Sequence, residues 1–125
     1  MIKREVFKPQ IMADIQRSCE QSVKYEAEQL FIYYTGHGCK NTGNWVTAKP
    51  PGKKILKSSE WNIKIEEVFE MIRESGFEQN VIIVSDCCYS GEWCYQADKL
   101  QSNKKTKLDV KTLVVTSSCS RDREA

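Results

Sequence analysis

One imidazole and a neighbouring pair of thiols are the side chains in this chain best suited to covalent chemistry. His37 is the only histidine and stands in Tyr34-Thr35-Gly36-His37-Gly38, while Cys88, roughly 50 residues downstream, stands in Ser85-Asp86-Cys87-Cys88-Tyr89-Ser90-Gly91. A thiol attacks a carbonyl as thiolate and needs a nearby base, which an imidazole titrating near neutrality supplies. His37 and Cys88 are therefore read as the base and the nucleophile of a Cys/His hydrolase. The glycines beside His37 let the backbone approach a substrate, and the Gly38 and Cys88 N–H groups are the candidate donors to an oxyanion.

These residues need elements to hold them. Pro9 suits a helix start, and Met12, Ile15, Cys19 and Val23 recur at helical steps, which predicts a helix over 9–29. The apolar run Leu30 to Tyr34, stopped by Gly36 and Gly38, predicts a buried strand with His37 at its carboxyl end. Trp45-Val46-Thr47 and Lys54-Ile55-Leu56 flank Pro50-Pro51-Gly52 and predict a surface hairpin flap. Ile65, Val68, Phe69 and Ile72 mark a second helix that stops at Gly76. Val81 to Val84 reads as a strand covered on both faces, with Cys88 just beyond it. A short helix over 93–100, a lysine-rich connection over 101–111 and a strand over 112–116 complete the chain before Ser117-Ser118-Cys119-Ser120. Strand–helix alternation of this kind predicts an α/β fold with right-handed parallel crossovers, and such sheets bind ligands beyond the carboxyl ends of their strands. His37, Cys88, Ser117 and Ser118 all fall there.

Composition narrows the partners. A chain of 125 residues allows one domain, and a net charge of +2 is too mild to signal a nucleic-acid surface. Neither a signal-peptide pattern nor a membrane-length apolar run is present, so a cytoplasmic protein is expected, with no membrane partner. The six cysteines sit within helix and strand patterns and are read as reduced thiols, with Cys19, Cys39, Cys94 and Cys119 as packing residues. No C-x-x-C pair supports zinc, and neither metal nor cofactor is expected. Trp45, Trp61 and Trp93 read as packing or rim residues. From the residues alone, Asp86 reads as a strand-end acid or a cap for the following helix.

Taken together, the two motifs resemble those of the caspase/metacaspase-like cysteine peptidases, over roughly residues 28–125. A histidine about 50 residues ahead of the nucleophile is a caspase spacing, though the local Gln-Ala-Cys signature is not carried. The resemblance implies a three-layer α/β/α sandwich around a mostly parallel sheet. It implies His37 as catalytic histidine, Cys88 as nucleophile and Gly38 as oxyanion-hole glycine, with Cys87 at the small-residue position before the nucleophile; Tyr89 departs from the histidine of many metacaspases. By the resemblance Asp86 corresponds to the primary specificity pocket, a reading of equal weight with the strand-end acid or cap, and this predicts cleavage after Arg or Lys. Ser117 and Ser118 correspond to further substrate-pocket positions. The implied partners are protein or peptide substrates, with a homodimer or a missing subunit segment completing the domain. Relative to the family, an opening strand before Pro9 and a subunit region after Ala125 are lacking, as expected of a truncated product. Lys99, Lys104, Lys105, Lys107 and Lys111 lie where relatives carry a linker cut on activation, so a basic-specific enzyme is expected to cut itself there. The competing reading is a catalytically silent caspase-like module that binds a partner or regulates an active relative.

Overall fold

The computed structural model describes residues 6–49, 52 and 57–119. Its elements run α1 (Lys8–Lys24), β1 (Gln29–Gly38), β2 (Trp45–Val46), a 3-10 turn (Ser58–Glu60), β3 (Asn62–Ile63), α2 (Ile65–Ser75), β4 (Asn80–Cys87), α3 (Ser90–Gln101) and β5 (Thr112–Ser117). They form an α/β fold around one mixed five-stranded sheet of order β3-β2-β1-β4-β5. The three long strands run parallel, and the two short ones join antiparallel at the carboxyl end of β1.

α1 starts one residue before Pro9 and ends five residues short of the predicted 29. Its start is set by Gln10, whose side-chain oxygen accepts the Phe7 N–H at 3.1 Å. Ile15 and Cys19 are buried, whereas Val23 stands exposed beyond the packed part of the helix. α2 matches its predicted span, with Val68, Phe69 and Ile72 wholly buried. Glu67 closes its first turn by accepting the Lys64 N–H at 2.8 Å and also receives Lys8 Nζ at 2.6 Å, which ties α1 to α2.

β1 and β4 outrun the predicted strands. Gly36 and Gly38 read as breakers, yet the β1–β4 ladder continues to Gly36↔Cys87, and His37 and Gly38 then pair with Val46 and Trp45 of β2. Strand pairing on both sides keeps this glycine-rich segment extended. The expected surface flap is also corrected: β2 pairs with β3 at Asn62–Ile63, and Trp45 is 1% exposed, so the segment is part of the core. The predicted second flap strand, Lys54 to Leu56, lies outside the described residues.

β4 alternates between buried and half-buried positions, so one face is covered and the other is open, unlike the doubly covered strand expected. The crossovers β1-α2-β4 and β4-α3-β5 step the same way across the sheet. With a common right hand they put α2 and α3 on one face, where α1 packs against α2. Leu30, Ile32, Val81 and Ile83 meet Ile15, Phe69, Ile72, Trp93 and Ala97 in the core between these layers. No described helix covers the opposite face, where Phe31, Tyr33 and Val114 are half exposed.

The lysine-rich connection is folded. Gln101 and Leu108 clasp it: the Leu108 N–H donates to Gln101 Oε1 at 2.6 Å, Gln101 Nε2 donates to the Leu108 carbonyl at 3.3 Å, and Leu108 is buried. Among the described residues no helix is long and apolar enough to cross a membrane.

Candidate active site

The β1–β4 register decides what meets at the carboxyl end of the sheet. Its last rung is Gly36↔Cys87; one step further along each chain stand His37 and Cys88. Adjacent strands lie about 4.8 Å apart, so the backbones at these two positions leave the sheet from neighbouring strand ends. Gly38 tightens the junction. A Cβ built there would overlap the Cys88 carbonyl oxygen and come within 2.9 Å of Cys87 Sγ, so only glycine lets the β1 end lie against the backbone of the candidate nucleophile.

Each partner is held by its own support. The Tyr34 hydroxyl donates to the His37 carbonyl at 2.9 Å and shares itself with the Val46 carbonyl at 3.2 Å, pinning the histidine's backbone. The Tyr34 ring stacks on Trp45 at 4.4 Å, and Trp45 stacks in turn on Trp93 of α3 at 4.3 Å, both nearly parallel. Trp45 Nε1 also donates to Ser85 Oγ at 2.9 Å, and Ser85 Oγ lies 3.4 Å from Cys87 Sγ. This column braces the floor of the site. Burial pushes the Cys87 thiol above its ordinary value, and the side chain is wholly buried, so Cys87 is a packing residue.

Cys88 occupies the turn between β4 and α3, half-buried, and Tyr89 after it adopts a left-handed conformation at φ 59° as the helix N-cap. The loop 39–44 closes over that turn through the Cys39 N–H to Asn44 carbonyl bond at 2.8 Å. Gly43, at φ 67°, seats against the helix start: a Cβ there would come within 2.7 Å of Trp93 N and 2.8 Å of the Tyr89 carbonyl oxygen.

Strand alternation sorts the remaining predicted residues. Asp86 points to the open face, where the Tyr33 hydroxyl donates to its Oδ2 at 2.8 Å and the Ser118 hydroxyl also hydrogen-bonds it. These bonds, Ser118's first, hold the Asp86 carboxyl below the usual carboxylate range. The bond to Asp86 in turn raises the Tyr33 phenol. Asp86 is thus no helix cap. Ser117 turns the other way, toward α3, where it hydrogen-bonds Cys94 and donates to the Cys119 carbonyl at 3.1 Å. Of the two serines, Ser118 joins Asp86 and Ser117 does not. Tyr33 and Thr35 were not singled out from sequence. The signal was there in the alternation Phe31, Tyr33, Thr35, but it needed the β4 register to become a contact with Asp86.

None of the six cysteines is joined in a disulfide, and the described residues bring together no group of three or more His, Cys, Asp or Glu suited to a metal ion. Of the predicted oxyanion donors, Gly38 and Cys88 adjoin each other at the strand ends. No family model, curated protein or solved structure matches the chain.

Proposed function

We propose that this chain is a caspase-like cysteine endopeptidase domain that cleaves after basic residues. The observation that carries the reading is the parallel register bringing His37 and Cys88 to neighbouring strand ends, with Gly38 in close contact with the Cys88 backbone. In this mechanism His37 takes the Cys88 proton and the sulfur attacks the scissile carbonyl. The N–H groups of Gly38 and Cys88 receive the oxyanion, and the start of α3 stabilises the negative charge that develops there. The imidazolium then protonates the departing amine, and water, deprotonated by His37, hydrolyses the thioester to release the acid and restore the thiol. The open face of the sheet leaves room for the third layer of the family's sandwich, and cysteines outside disulfides suit the reducing cytoplasm.

The test is active-site labelling of the whole chain. Iodoacetamide is expected to label Cys88 ahead of the other cysteines, with the rate falling at least tenfold in His37→Ala, and fluorogenic peptides with Arg or Lys at P1 are expected to be hydrolysed. Unchanged labelling in His37→Ala, with no turnover, would leave a silent module in place of an enzyme.

A further inference from the structure

The open face carries more than Asp86. In register, Phe31, Ile82 and Val114 form one row across β1, β4 and β5; Tyr33, Val84 and Thr116 form the next; Thr35 and Asp86 form the third, with Ser118 one residue past the end of β5. The face therefore turns from apolar to polar toward the strand ends that bear His37 and Cys88. Tyr33 reaches along this gradient, donating diagonally to Asp86 Oδ2 at 2.8 Å, while its own oxygen hydrogen-bonds the Thr35 hydroxyl. Ser118 completes the set from just beyond β5.

We propose that Tyr33, backed by Thr35, is the positioning residue that fixes the Asp86 carboxylate as a guanidinium-binding subsite, so that β1 supplies specificity as well as the catalytic imidazole. This rests on the peptidase reading above. A free aspartate beside solvent samples several rotamers and binds a cation weakly, whereas one held by hydroxyls from two flanking strands presents a fixed pair of oxygens. Two hydroxyl donors leave part of the carboxylate's acceptor capacity, about four lone-pair sites, open to a forked cation. Neither donor is itself charged, so neither competes with the ligand's charge. Tyr33 is half exposed, and its replacement by phenylalanine removes one oxygen while leaving the ring's packing.

The experiment compares the wild type, Tyr33→Phe and Asp86→Asn as full chains on two fluorogenic peptides that differ only in Arg or Gln at P1. Losing one exposed hydrogen bond to a charged group is expected to raise KM for the Arg peptide about five- to tenfold in Tyr33→Phe. kcat and all parameters for the Gln peptide stay within about twofold, and Asp86→Asn abolishes the preference. An Arg-over-Gln ratio unchanged in Tyr33→Phe overturns the proposal. Agmatine, followed by chemical-shift titration, separates this from the peptidase reading. Binding that depends on Asp86 and weakens in Tyr33→Phe upholds the subsite even in a chain without turnover. Equal affinities, or no binding to the wild type, overturn it.

Discussion

Gly38 lies against the Cys88 carbonyl with no room for a side chain between them. Gly38→Ala must therefore push apart the two strand ends that carry His37 and Cys88. We expect a loss of about 1–3 kcal/mol in urea unfolding and a drop of at least tenfold in Cys88 labelling by iodoacetamide. Labelling at the wild-type rate would mean that the two strand ends are not coupled.

Tyr89 sets the exit from Cys88 into α3 with a left-handed backbone at φ 59°. Asparagine adopts that conformation readily and β-branched residues do not. Both Tyr89→Asn and Tyr89→Val lose the phenol ring, so their difference reports the backbone alone. The Val variant is expected to be about 1–2 kcal/mol less stable than the Asn variant, measured by urea midpoints, and equal midpoints would remove the constraint.

The outline of this fold was legible from short patterns, and its joints were not. Ile65 to Ile72 gave α2 because helical periodicity and acidic N-terminal residues agree, and Val81 to Val84 gave β4 because a β-branched run admits little else. Gly36 and Gly38 misled the placement of the β1 end, since a local preference for turns yields to pairing with residues that the sequence does not mark as partners. Trp45 misled for the same reason: its neighbours are polar and glycine-rich, but its ring belongs between Tyr34 and Trp93, distant along the chain. At the site, His37 and Cys88 could be found by residue type. The cradle of Asp86 could not, because Tyr33 and Ser118 come to it from different strands.

Buried thiols predict alkaline sensitivity. Burial pushes the Cys19 thiol up to about 11, and the side chain is fully enclosed between α1 and the core. A raised folded value means that the unfolded chain loses this proton first. The stability that Cys19 contributes is thus complete below its ordinary value and is lost as pH climbs from about 9 toward 11. Cys87 and Cys94 shift in the same direction, also through burial. Cys19→Ala is expected to cost about 1 kcal/mol near neutrality and to lose less than the wild type between about pH 8 and pH 10.5 in urea titrations. Parallel losses in the two proteins would show that Cys19 does not ionise on unfolding.

The ring column gives the molecule an optical signature of its own assembly. Trp45 and Trp93 stand 4.3 Å apart at 7° from parallel, close enough for their electronic transitions to couple and split a circular dichroism band. One indole rides on the strand that pairs with His37 and the other on the helix that follows Cys88, so that splitting exists only while both halves of the centre are joined. A spectrometer can then follow the closing of this floor beneath His37 and Cys88 in real time, without ligand or label.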